Sequence, residues 1–464
     1  MRIFPPQIEI SDDEGFTPKK DILKREEFGK GLMNLVERVE DPMVIALDGP
    51  WGSGKSTFIK MWLGHLRKNG FPVIYFDAFA NDYLDDAFTA IAGEVLALAA
   101  EQSKEKAGVH YETILKKTFR AAKILARSGA KIGLKAATLN AFNEEDFKGL
   151  ESLPKDIANE VSTQADAHLL KQLENHAEER LTFKNFKEAL ETLACDLSSQ
   201  AINKIDETKT ENTTNVKRPL VFVIDELDRC KPTFALDLLE KIKHFFSVNG
   251  VHFVLVTNLE QLQSSVRVCY GEKIDAQNYL QKFFHITTTL PNHNNKGDLD
   301  SFLSYIFLGF PSDDDNGRYL DQVKAQLVNL SIIKGYSFRA IERIATQIAL
   351  VLATTTRGRL RIAPIVAGLC VFKVVSPEMY SKAKNGLLTF KEVEEFFKFH
   401  EWNEYQSGIE YVVEKWKVCL IGELHNDSQD LSGFKESLWS HGVSDHKQII
   451  PDICNDLIDS LNFT

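Results

Sequence analysis

Gly49-Pro50-Trp51-Gly52-Ser53-Gly54-Lys55-Ser56 follows the apolar run Met43 to Asp48 and opens a helical pattern over Ser56 to Lys68. Strand, glycine-rich turn and helix in that order form a loop that cradles phosphate, because the first N–H groups of a helix have no internal acceptor and face outward together. Backbone N–H groups of Gly52, Gly54 and Lys55 are expected to meet the phosphates. The glycines at 49, 52 and 54 permit positive φ and a close backbone approach that a side chain would block. Lys55 is the expected partner of the β- and γ-phosphates, the Ser56 hydroxyl a ligand of Mg²⁺, and Thr57 a support for the α-phosphate. Pro50, Trp51 and Ser53 complete the nucleotide-binding stretch.

A loop of this kind needs an acidic partner, and Leu220-Val221-Phe222-Val223-Ile224-Asp225-Glu226 supplies one. An apolar strand that ends abruptly in two acids is costly to bury without a cation nearby. Asp225 is therefore read as a holder of Mg²⁺ and Glu226 as the base that orients and deprotonates an attacking water, which points to hydrolysis. Asp228 and Arg229 follow, and either pair with each other or reach a neighbouring subunit. Asn258, just after the run Val251 to Thr257, stands where a polar side chain can sense the γ-phosphate, or else starts a turn.

Working outward, five β-branched or aromatic runs read as buried strands: Met43 to Asp48, Pro72 to Asp77, Pro219 to Asp225, Val251 to Thr257 and Phe283 to Leu290. Helical patterns such as Phe234 to Phe246 separate them, so the fold class is α/β, a P-loop NTPase with a five-stranded, mainly parallel sheet. Residues 1–90 and 216–292 are expected to form the core. About 140 residues between the second and third strands exceed what a crossover needs. Residues 91–215, rich in Ala, Leu, Lys and Glu, read as a helical insertion, and 293–464 as a helical C-terminal region. Leu299 to Phe310 and Tyr319 to Leu330 have helical periodicity, with Asn292 to Gly297 and Asp313 to Asn316 as loops.

The net charge of −11 argues against sequence-independent nucleic-acid binding over the whole surface. The six cysteines show no metal spacing and read as reduced, buried thiols. No secretion signal opens the chain, and the apolar stretches Ile344 to Ala353 and Ile362 to Val375 are too short to cross a membrane, which predicts a cytoplasmic protein without a membrane span. His252, His285 and His293 read as ordinary core or surface residues. In the insertion, Lys116, Arg120, Lys123, Arg127, Lys131 and Lys135 recur at helical spacing, with no acid between Thr113 and Asn143. That basic stripe is either a solvated face or a contact for an acidic partner, nucleic acid or membrane surface. Gly129 and Gly133 lack the apolar context that would make their spacing a membrane motif.

These residues resemble the KAP family of P-loop NTPases over roughly residues 20 to 350. The resemblance is carried by Asp21-Ile-Leu-Lys-Arg25, the Trp51-bearing loop, Tyr75-Phe-Asp-Ala-Phe79, Phe186-Lys-Glu-Ala-Leu190, Ile224-Asp-Glu-Leu-Asp-Arg-Cys-Lys-Pro232 and Tyr279-Leu-Gln-Lys-Phe-Phe284. It implies ATP hydrolysis coupled to assembly or signalling, a homo-oligomer, and for bacterial members a link to phage resistance or plasmid maintenance. It also implies that Arg339 senses nucleotide, although Phe338 stands where the family has Pro. Many members carry membrane helices in the insertion, whereas Phe119 to Phe142 is interrupted here by Lys123, Arg127, Lys131 and Lys135.

The reading is an Mg²⁺-dependent ATPase that drives oligomerisation or partner remodelling, with protein partners at the insertion and C-terminal region. Two alternatives stand beside it: a slowly hydrolysing switch or scaffold, and a nucleic-acid-stimulated ATPase.

Overall fold

The computed structural model describes residues 4–6, 8–84, 87, 90–95, 184–197, 218–244, 247–291, 295–310, 314–355, 361–404, 409–422, 434, 438 and 445–460. Five strands, β1 (Val44–Asp48), β2 (Val73–Asp77), β3 (Leu220–Asp225), β4 (Val251–Thr257) and β5 (Ile286–Thr289), form one sheet in the order β2-β3-β4-β1-β5. Every pairing is parallel, so the mixed character left open by the sequence does not arise.

The central strands are continuous apolar runs because both faces of the sheet are covered. Alternate residues serve opposite cores. Val44, Phe222, Ile224, Phe253 and Leu255 pack on one side, and Ile45, Leu47, Val221, Val223, Val254 and Val256 on the other. Helix α1 (Glu26–Arg38) and helix α2 (Lys55–Lys68) cover the second face, where Trp62 is fully buried and its indole N–H donates to the Gly29 carbonyl at 2.9 Å. Helix α3 (Pro232–Ile242) covers the first face together with the helical residues 184–197. Helix α4 (Leu259–Tyr270) contributes Leu262 and Val266 to the same side.

Phe283 to Leu290 narrows to a strand of four residues, because Gln281–Phe283 close a 3₁₀ turn first. With β5 at the sheet edge, its residues alternate between half-buried and exposed rather than being buried throughout. Helix α5 spans Lys296–Phe307 and α6 spans Asp314–Lys334, the latter starting inside the stretch read as a loop, since the apolar periodicity that marks it begins only at Tyr319. Of the cysteines, Cys230, Cys370, Cys419 and Cys454 are buried as expected, but Cys195 and Cys269 are exposed on helix surfaces. His252 sits in β4 and His285 immediately precedes β5, where its Nδ1 accepts from Val44 N at 2.9 Å; His293 lies outside the described residues, as do the basic stripe 116–135 and most of the insertion. Among the described residues no helix is long and apolar enough to cross a membrane.

Helices α5, α6, α7 (Phe338–Thr354), α8 (Ala363–Val375) and those after them build a separate core around Phe372, Phe397, Trp402 and Trp416. Gly368 makes that packing feasible: a Cβ there would lie 2.5 Å from the Trp416 ring and 3.1 Å from Phe397. Ile22 and Leu23 of the N-terminal segment pack against this core just before the chain enters α1 and then β1.

Lys415 lies buried in the same region with its ammonium 3.9 Å from the Tyr411 ring centroid and 5.0 Å from that of Phe434. Burial pushes its pKa down to about 8. The unfolded chain then holds the proton more tightly between pH 8 and about 10.5. The penalty is therefore complete below pH 8 and disappears as pH rises through that window. It amounts to about 3 kcal/mol at pH 7. Lys415→Met should raise the thermal midpoint at pH 7 by up to an amount matching about 3 kcal/mol, and the gap to wild type should narrow at pH 9.5. A gap that widens with pH would contradict this account.

Candidate phosphate-loop site

At the C-terminal end of β1 the chain leaves the sheet through Gly49, whose N–H still donates to Thr257 O at 3.2 Å. Gly52 and Gly54 take φ of +78° and +83°, values that L side chains rarely adopt, and Gly54 caps α2. Among the described residues the N–H groups of Gly52, Gly54 and Lys55 have no acceptor, which is the condition for holding an anion at a helix N-terminus. The buried Ser53 hydroxyl is likewise without a partner. Lys55 folds along the loop, donating to Gly49 O and, at 3.2 Å, to Pro50 O. Burial lowers its pKa, while Asp228, Asp225 and Asp48 oppose the shift.

The register Asp77↔Asp225 and the pairing of β3 with β4 bring the acidic strand tip to the loop. Asp225 is 1% exposed and accepts from Tyr75 Oη at 3.2 Å and from Glu226 N at 2.8 Å. Burial, with the neighbouring Glu226 charge adding to it, raises its pKa to about 6 against the opposing effect of those hydrogen bonds. Glu226 has φ of +59°. Such a conformation costs a non-glycine residue on the order of 1 kcal/mol and turns its side chain away from the strand direction. Its carboxylate accepts from Ser56 Oγ at 3.3 Å and pairs with Arg229 at 2.8 Å. The Ser56 hydroxyl also lies within hydrogen-bonding reach of Asp225. A hydroxyl set between two carboxylates, one of them buried and raised in pKa, is a donor set of the hard-oxygen kind that suits Mg²⁺. The structure therefore brings Ser56 and Asp225 together.

Asp228 and Arg229 do not pair with each other. Trp51 donates its indole N–H to Asp228, which clips the phosphate loop to the turn after β3, while Arg229 engages Glu226 within that turn. Asn258 is the N-cap of α4: its side-chain oxygen accepts from Glu260 N at 3.2 Å and Gln261 N at 3.4 Å. Only its amide N–H groups then remain for a phosphate. Arg339 lies in the first turn of α7, which Ser337 caps, and packs directly on the loop; a Cβ at Gly52 would stand 2.6 Å from its own Cβ.

Two residues that the sequence reading gave no role complete the site. Arg25 is 4% exposed, its Nη1 lies 3.4 Å from Gly54 O, and its Nε has no partner among the described residues. Burial lowers its pKa to about 10, with Asp21 and Asp298 opposing. The local cause is Asp21, whose carboxylate accepts from Arg25 N and Glu26 N and so fixes the start of α1 with Arg25 turned inward. The Asp-to-Arg spacing of four was the available signal. Glu342 follows Arg339 by three positions, one helical turn, and lines the same cavity of about 260 Å³, which also takes in Phe302 and Phe338.

Asn203-Lys204-Ile205-Asp206 matches the Asn-Lys-x-Asp pattern that reads guanine, so the expected preference for ATP cannot rest on the absence of that pattern from the chain. The stretch precedes β3 and lies outside the described residues.

A family model described as the KAP family P-loop domain matches residues 25–352, well over half of the chain. No curated protein matches. Among solved structures, the Aeropyrum pernix ORC2 protein (ADPNP-ADP complexes) is similar at 12% identity and a TM-score of 0.34, over 99% of this chain and 97% of that one.

Proposed function

The chain belongs to the KAP family of P-loop NTPases, and from that premise we propose that it is a Mg²⁺-dependent ATPase whose hydrolysis drives homo-oligomerisation or the remodelling of partner proteins. The observation that supports hydrolysis is the meeting of Ser56 with both Asp225 and Glu226 at the tip of β3. Ser56 and Asp225 would hold Mg²⁺, which when bound neutralises charge on the β- and γ-phosphates. Lys55 and the loop N–H groups bind the phosphates, Arg339 adds a second cation from α7, and Glu226 accepts a proton from the attacking water once Arg229 releases it. ATP as the nucleotide and a role in bacterial antiviral defence both rest on the family.

Phosphate release is expected with MgATP and should fall to background with excess chelator. In a mass measurement, a slowly hydrolysed ATP analogue should convert the chain to a larger species. An unchanged monomer mass would remove oligomerisation from the reading, and equal turnover of GTP would remove the preference for ATP. Cells expressing the chain should plate fewer phage than cells expressing Lys55→Ala, and equal plating would remove the defence role.

A further inference from the structure

A carboxylate in a cavity built for polyphosphate is out of place unless it meets something other than phosphate. Glu342 is that group: it lines the cavity beside Lys55, Arg25 and Arg339. It is half-buried and its carboxylate makes no hydrogen bond among the described residues, with the Arg339 charge acting to keep it ionised against burial. Its own position says how far from the phosphates it stands. Arg339 packs on Gly52 of the loop, and Glu342 is three residues further along α7, about 4.5 Å along the helix axis.

A carboxylate accepts hydrogen bonds and donates none, so its partner must carry donors. The phosphates carry none and would be repelled. In a nucleotide the next donors along the molecule are the two ribose hydroxyls, a neighbouring pair that a carboxylate can accept together, as an acidic residue does for the ribose in dinucleotide-binding folds. Beyond them the cavity wall turns apolar. Ile22, Leu23 and the edge-on pair Phe302–Phe338, with ring centroids 4.6 Å apart, offer a surface for a flat base.

We propose that Glu342 reads the ribose of the bound nucleotide, accepting its 2′- and 3′-hydroxyls, and so selects ribonucleoside triphosphates over their deoxy forms. This rests on the reading of the loop as a nucleotide site and is independent of which base is bound.

Isothermal titration of the full chain with ATP, 2′,3′-dideoxy-ATP, GTP and 2′,3′-dideoxy-GTP tests it. The ribo form of whichever nucleotide binds should be held roughly tenfold or more tighter than its dideoxy partner, the range expected for hydrogen bonds to a charged acceptor. Glu342→Ala should abolish that ratio by weakening the ribo form alone, and Glu342→Gln, which keeps one acceptor oxygen, should restore part of it. Equal affinity of the wild-type chain for ribo and dideoxy forms would overturn the ribose assignment and leave the nucleotide site standing. Retention of the full ratio in Glu342→Ala would overturn the assignment to this residue. If no triphosphate binds at all, the nucleotide reading and the ribose assignment fail together.

Discussion

Lys55→Ala should abolish nucleotide binding. The lysine is the half-buried cation of the loop, and Asp228, Asp225 and Asp48 all act to keep it charged against the effect of burial. Removing one partner of a buried, hydrogen-bonded charge pair costs about 2–5 kcal/mol, on the order of a hundredfold or more in affinity. The variant also loses the bonds from Nζ to Gly49 O and Pro50 O that staple the loop, a modest loss of about 1 kcal/mol. The two effects separate in a thermal melt. Wild type should gain stability with nucleotide, as any ligand confined to the native state requires. The variant should melt slightly lower and show no gain. A normal ligand-induced shift in Lys55→Ala would remove the loop from the binding site.

Glu226→Gln should retain binding and lose turnover, by about 10²–10⁴-fold. The substitution keeps size and hydrogen-bonding reach toward Ser56 and Arg229 but removes the basicity that accepts a proton. Binding is expected to survive because Lys55, the loop N–H groups and Asp225 are untouched. A quantitative binding curve and a phosphate-release assay on the same preparation distinguish the roles: equal loss of both would make Glu226 a binding or structural residue.

Much of this arrangement was legible in the sequence because it is local. Strand, glycine turn and helix lie within Val44 to Lys68, and the acidic tip lies within six residues of β3, so apolar runs and their punctuation identify both. Boundaries failed where the sequence is ambiguous, as at β5, whose aromatic start Phe283-Phe284 belongs to a turn and whose remaining threonines suit a half-exposed edge. The partners of Asp228 and Arg229 were not legible. Their adjacency suggests a pair, but in the turn that follows the strained backbone at Glu226, Asp228 meets Trp51 of the phosphate loop and Arg229 turns back to Glu226. Arg25 and Glu342 escaped for a different reason. Arg25 immediately precedes α1 and Glu342 lies on α7, both in ordinary patterns, and only the approach of α1 and α7 to one loop gives them a common cavity.

The order of the strands sets a timetable for folding. Neither β1 nor β2 has its sheet neighbours nearby in the chain: β1 pairs with β4 and β5, and β2 with β3. As the protein emerges from the ribosome, Val44 to Asp48 has no strand to lie against until Val251 to Thr257 has been made. At roughly 5–20 residues per second that interval is about 10–40 s. Ile45 and Leu47 for that time, and Ile74 and Phe76 until β3 is made, belong to unpaired, apolar segments, the species most prone to mispairing. The site that defines the mature protein is therefore assembled late in synthesis, and a newborn chain is expected to depend on holding chaperones before it can depend on nucleotide.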